Sequence, residues 1–177
     1  MSTKAYLCAV CCTLVSMAAS AKECGENALP VAAQKVLSQH FTGWKVVTVS
    51  DLTPDDKQIW SETYGDACPG IVEGNFTGKG RRQFGVTLIR RDNSRIRQAL
   101  VLLNPTDRVY VDKVLLEPSD ATIPNVVVKF PPGTYSDAER TRSVRTRFDG
   151  IALIQLEASG TLFYKTKDGF SRLVFSD

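Results

Sequence analysis

The sequence predicts an α+β fold. Two N-terminal helices pack on a single, mostly antiparallel sheet of about seven to nine strands that ends in a β-meander. Three observations carry this expectation. Helical spacing of apolar residues is confined to the first third of the chain. After it, β-branched and alternating runs follow one another with turn residues between them. Strands and helices do not alternate, which sets aside a parallel α/β fold.

Residues 1–21 are expected to be a signal peptide and 22–177 a single α+β domain. Lys4 precedes an uncharged, mostly apolar run from Ala5 to Ala19, and Ala19-Ser20-Ala21 fits a small-x-small cleavage site. The run is too short for a comfortable membrane span, so no transmembrane segment is expected after cleavage. Cleavage leaves 177 − 21 = 156 residues, and losing Lys4 lowers the formal charge from +3 to +2. That balance gives no footprint for nucleic acid. Three of the five cysteines lie in the leader. Cys24 and Cys68 remain, and export to the periplasm or medium makes a disulfide between them the natural expectation.

Asn27 to Phe41 is predicted as the first helix. Leu29, Ala33, Val36, Leu37, His40 and Phe41 form one stripe, with Asn27 as cap, Pro30 in the first turn and Gly43 after the end. Lys45 to Ser50 is a short β-branched strand. Thr53-Pro54-Asp55-Asp56 starts a second helix, with a hydroxyl cap, a proline at the first position and carboxylates at the positive end of the dipole. It carries Ile59, Trp60 and Tyr64 and stops at Gly65.

The stretch from Cys68 to Asn104 organises the remainder. Ile71 to Phe76 is a strand leading into a Gly-rich loop. Phe84, Val86 and Leu88 then alternate with Gln83, Gly85 and Thr87. After a turn at Arg91-Asp92-Asn93-Ser94, Arg95 to Asn104 ends in Ala99-Leu100-Val101-Leu102-Leu103. That run is apolar on both faces, which predicts a central strand covered on both sides, with the first helix on one. Further strands are expected at Val109–Glu117 and Asn125–Phe130. A polar connection leads to an Arg-studded edge strand at Ser143–Phe148. Ile151–Ala158, Thr161–Lys165 and Phe170–Phe175 form the closing meander.

The loop Asn75-Phe76-Thr77-Gly78-Lys79-Gly80 with the strand after it resembles the calcium-loop-and-strand segment of FG-GAP, integrin-propeller-type repeats. The family's aspartates fall here on Asn75, Thr77 and Lys79, so the glycine spacing is kept without the carboxylates that calcium needs. The segment occurs once, whereas a propeller repeats its blades. More broadly, the chain resembles uncharacterised secreted bacterial proteins. The shared features are Gly43-Trp44-Lys45-Val46-Val47, Cys68-Pro69-Gly70, the Gly-rich lead into the strand and the aromatic meander ending at Ser176-Asp177. That resemblance implies a compartment and a fold type rather than an activity.

No cofactor or metal is expected, and no catalytic residue is assigned. The single histidine, His40, lies on a helix, and neither Gly-x-Ser-x-Gly nor His-Glu-x-x-His occurs. Arginine is the feature that stands out. Arg81, Arg82, Arg90, Arg91, Arg95 and Arg97 flank the organising hairpin, and Arg140, Arg142, Arg145 and Arg147 lie on a later charged segment. Guanidinium forks bind carboxylates and phosphates in bidentate fashion. The expected function is that of an exported, non-enzymatic binding protein. Its Arg-rich sheet face, made by the hairpin six, would recognise an anionic protein, lipid head group or glycan. An envelope immunity or inhibitor protein is one concrete form. The alternatives are a structural or assembly component of the envelope, and a hydrolase whose carboxylates converge only in the fold.

Overall fold

A computed structural model describes residues 24–92, 95–107 and 109–176. The predicted leader and the Asn93-Ser94 tip of the hairpin lie outside the described residues.

The first helix, α1 (Val31–His40), buries Ala33 and Leu37. It begins later than the expected Asn27, which instead lies in a 3-10 turn, and Pro30 is its N-cap with no side-chain cap. The reason is local. A residue before proline is driven out of helical geometry, and Leu29 sits at φ −92°, ψ 153°. The second helix, α2 (Pro54–Tyr64), follows the expected chemistry, the Thr53 hydroxyl accepting the Asp56 backbone N–H at 3.2 Å. Trp60 is fully buried, and its indole N–H donates to the Ala67 carbonyl at 2.8 Å, which ties down the chain beyond the helix.

The strands do not form the single sheet expected. Among the described residues eleven strands make three antiparallel sheets, and these residues are mostly β. The first sheet contains β1 (Lys45–Val46), β2 (Ile71–Gly74), β3 (Gln83–Asp92), β4 (Arg95–Pro105) and β5 (Tyr110–Ala121). Both β1 and β2 pair with β3, at opposite ends of it. The second sheet uses β6 (Val126–Phe130), β9 (Gly150–Gln155), β10 (Ser159–Lys165) and β11 (Phe170–Ser176), in the order β11-β10-β9-β6. Between β6 and β9, β7 (Thr134–Ser136) and β8 (Ser143–Arg145) make a small ribbon of their own. The sequence showed no strand at β7. It placed the Ser143–Phe148 segment on the edge of the main sheet, whereas β8 pairs with β7 alone.

Packing explains the division. On one face of the first sheet, Phe84, Val86, Leu88, Val101 and Leu103 share a cluster with Leu29, Ala33 and Leu37 around α1. The other face presents Leu100 and Leu102, which α1 does not reach. They pack with Val127, Ile151, Leu153 and Phe163 of the second sheet. A single twisted sheet would have left these side chains in water, at a cost of about 1.5–3 kcal/mol for each large one. Folding the chain over as a second sheet buries them. Gly85 lies at this interface, where an added Cβ would come within 2.9 Å of both Ile151 and Val72. Helix α2 takes neither of these positions. Trp60 joins a third cluster with Ile89 of the first sheet and Ala152, Leu162 and Tyr164 of the second.

Two buried glutamines connect these layers. The Gln98 side chain accepts from the Asn125 N–H at 3.0 Å and donates to the Asn125 carbonyl at 2.9 Å, holding the crossover from β5 to β6 against β4. The Gln83 carboxamide closes the Gly-rich loop. Its Oε1 accepts from the N–H groups of Phe76 (2.7 Å) and Thr77 (3.0 Å), and its Nε2 donates to Thr77 and Asn104. The structure joins Cys24 to Cys68 by a disulfide across 44 positions of sequence, with Cα atoms 5.4 Å apart.

Candidate anion-binding site

The hairpin arginines do not assemble into one face. β3 separates Arg81 and Arg82 from Arg90 and Arg91 by its own length, about 30 Å for a strand of this size. Strand parity does place Arg90, Asp92, Arg95 and Arg97 on one side of the hairpin, with Arg90 directly across from Arg97. Most of the six are already engaged within the chain. Arg81 pairs with Asp107 at 2.7 Å, and Arg82 with Glu73, which raises the Arg82 pKa above its ordinary value. Arg90 pairs with Asp92 at 2.7 Å and lies 5.6 Å over the Trp44 ring. Arg91 sits 3.9 Å from Asp51, Arg97 donates to the Pro118 carbonyl at 3.3 Å, and Arg95 is exposed.

Asp51 is the carboxylate most enclosed by these contacts. Burial pushes its pKa up, but hydrogen bonds from Lys45 and from the backbone and hydroxyl of Thr48 outweigh that, and the net shift is downward. A depressed folded-state pKa contributes stability above the unfolded value, and that contribution is lost as pH falls through the folded one. Urea unfolding of Asp51→Asn should therefore show lower stability than wild type at neutral pH. The difference should shrink below about pH 4. A difference that persisted unchanged into acid would assign the effect to packing instead.

A second group of cations gathers elsewhere, on both sides of the turn between β10 and β11. That turn is closed by the Thr166 N–H donating to the Gly169 carbonyl at 2.8 Å. On one side Arg145, Arg147, Lys165 and Lys167 line a cavity of about 450 Å³ together with Phe148 and Tyr164. On the other side Lys113, Arg142 and Arg172 line an open groove of about 600 Å³ with Phe163 and Phe170. The two linings together hold seven cations and one carboxylate, Asp168. None of the seven forms an ion pair among the described residues.

Local structure positions them. Arg145 and Arg147 are two residues apart, as are Lys165 and Lys167. Phe148 is held against the Gly-rich loop, where Gly78 takes φ +78° and an added Cβ would come within 2.3 Å of the Phe148 ring. The Asp149 carboxylate accepts the Asn75 N–H at 2.8 Å, fixing the same junction. Arg142 reaches the Tyr164 hydroxyl at 3.4 Å and so links the two hollows, with Asp137 beside it at the base of the β7–β8 ribbon. Lys113 lies 5.7 Å over the Phe170 ring. Clustered cations that outnumber their counter-charges, here Asp168 and the Asp137 beside Arg142, hold a positive potential that an anion can neutralise, and the aromatic walls lower the local dielectric.

The late arginines were visible in the sequence as a charged segment. Lys113, Lys165, Lys167 and Arg172 were not singled out there, because each comes from a different strand or turn, and only the meander and its approach to β5 bring them together. His40 is exposed on α1 and bonds Asp112 of β5 at 2.7 Å. In the Asn75–Gly80 loop the Asn75 N–H donates to Asp149, those of Phe76 and Thr77 donate to Gln83, and that of Gly80 donates to the Asn75 side-chain oxygen. Among the described residues no cluster of three or more metal-ligating side chains occurs. Nor is any helix among them long and apolar enough to cross a membrane.

Fold and site together define a mostly β protein, two packed sheets and a small ribbon, with two basic, aromatic-walled hollows at one end of its meander. No protein-family model matches the chain, and no curated protein or solved structure shows significant similarity to it.

Proposed function

We propose that this is an exported binding protein that holds an anionic partner at the basic site around the β10–β11 turn, without transforming it. The observation that carries the reading is the contrast between two sets of cations. Four of the six at the hairpin lie beside Glu73, Asp92, Asp107 or Asp51, whereas the seven around the turn face only Asp168 and, at Arg142, Asp137 among the described residues. Paired charges bind a further anion weakly, because an existing contact must first be broken. Unpaired ones attract it from a distance and hold it on arrival. The N-terminal leader pattern and the Cys24–Cys68 disulfide support the exported part of the reading.

The test compares two sets of substitutions. Fluorescein-labelled poly-L-glutamate serves as the probe, with fluorescence anisotropy as the readout at low and physiological salt. Alanine at Arg145, Arg147, Lys165 and Lys167 should weaken binding by about tenfold or more, and alanine at Arg90, Arg95 and Arg97 by less than about twofold. The reverse ranking would move the site to the hairpin. If neither set matters, or if the wild-type protein does not bind, the reading fails.

A further inference from the structure

We infer that the groove beside the β10–β11 turn takes an extended acidic segment of a partner protein, which pairs with β11 as an added strand. This rests on the anion-binding reading above and names what the site binds. Among the described residues β11 is the last strand of the second sheet and pairs on one side only, with β10. An open edge offers a row of backbone N–H and C=O groups to another chain, and proteins ordinarily blunt such edges. The other strand lining this groove, β5, is blunted in several ways: its pairing with β4 shifts register, and it carries Pro118, Asp112, Glu117 and Asp120. β11 has none of these. Its seven residues pair with β10 in unbroken register, and among them are no proline and one charge, Arg172.

The groove has the shape and charge such a segment needs. Phe170, Arg172 and Val174 share the face of β11 that looks toward the first sheet, since Arg172 lies opposite Phe163 and Phe163 is buried against Leu100. At this side the first sheet ends at β5, so Arg172 is exposed and Val174 is 57 % exposed. An added strand would bring alternate side chains to Val174 and to the cations Lys113, Arg142 and Arg172. Apolar residues alternating with carboxylates match that surface. A second copy of this chain does not, because its own β11 would set another Arg172, and no carboxylate, in a groove that is already basic.

The experiment uses the whole mature protein and three labelled peptides of about eight residues, a strand's length. One alternates Glu with Val, one alternates Lys with Val, and the third is the Glu-Val peptide methylated at alternate backbone nitrogens. The Glu-Val peptide should bind and protect the amides of β11 from hydrogen exchange. Arg172→Glu should weaken it by about tenfold. The Lys-Val and methylated peptides should not bind. Equal binding of the methylated peptide would overturn strand addition while leaving the anion-binding reading intact. No binding by any acidic peptide, together with none by poly-L-glutamate, would remove both. A dimer in light scattering whose β11 amides are protected without peptide would assign the edge to self-pairing and overturn the proposal.

Discussion

Replacing Gln83 by leucine should destabilise the protein by about 3–5 kcal/mol, the largest effect expected of one substitution here. The side chain is 1 % exposed, and every polar group it carries is engaged. Its oxygen is the acceptor for two successive backbone N–H groups, Phe76 and Thr77. Leucine fills much of the same volume but accepts nothing. Each orphaned buried donor then costs about 1–3 kcal/mol, because water does not reach it. The damage would not stay in the loop. Phe76 is fully buried in the core between the two sheets, beside Leu100, Leu102 and Ile151. A loop that opens to hydrate its N–H groups pulls that ring out of the core. Urea unfolding of wild type and Gln83→Leu measures the difference, and near-ultraviolet circular dichroism reports loosened aromatic packing. A loss below about 1 kcal/mol would mean that the loop reaches solvent at little expense and that the carboxamide is dispensable.

Reducing the Cys24–Cys68 disulfide should lower stability by about 4 kcal/mol, from the entropy the open chain regains when a loop of 44 positions is released. For a domain of this size that corresponds to a fall in Tm of about 8–16 °C. The bond also anchors a particular seam. Immediately after Cys68, the Pro69 carbonyl accepts the Val127 N–H of β6 at 2.8 Å, and the Gly70 carbonyl accepts the Thr87 N–H of β3 at 2.9 Å. The residues following the cysteine thus tie the first sheet to the second. Calorimetry with and without reductant, and on a Cys24→Ser/Cys68→Ser variant, should give the same lowered Tm. An unchanged Tm on complete reduction, verified by alkylation and mass, would show that the seam holds without the bridge.

Both predictions fall on features of different legibility. The cysteine pair was legible, because Cys24 and Cys68 are the two cysteines outside the expected leader and a bond between them was the natural expectation. Gln83 gave no signal. It occupies a polar position in an alternating strand, and nothing nearby shows that its amide would be turned inward to bind a loop. The arginines illustrate the same limit. Their number is evident from composition, but which of them are free depends on where Asp51, Glu73, Asp92 and Asp107 fall. These carboxylates lie between 2 and 40 positions away in sequence.

Elements whose causes are short-range can be read from their residues directly. Thr53 and Pro54 start α2 through contacts within one turn. The alternation from Phe84 to Leu88 and the double-faced run from Ala99 to Leu103 announce a hairpin with a covered central strand. The meander follows from its turns. Tertiary structure alone decided that the strands divide between two stacked sheets, that β7 and β8 pair apart from both, and that four cations from the second half of the chain share one hollow. The physical reason is that a period of two tells which side chains share a face but not what covers that face. α1 packs on one face of β3 and β4 and leaves the other uncovered. The second cover therefore had to come from distant strands, and the same folding-over that buries Leu100 and Leu102 sets the lysines after β10 beside the arginines at the end of the ribbon.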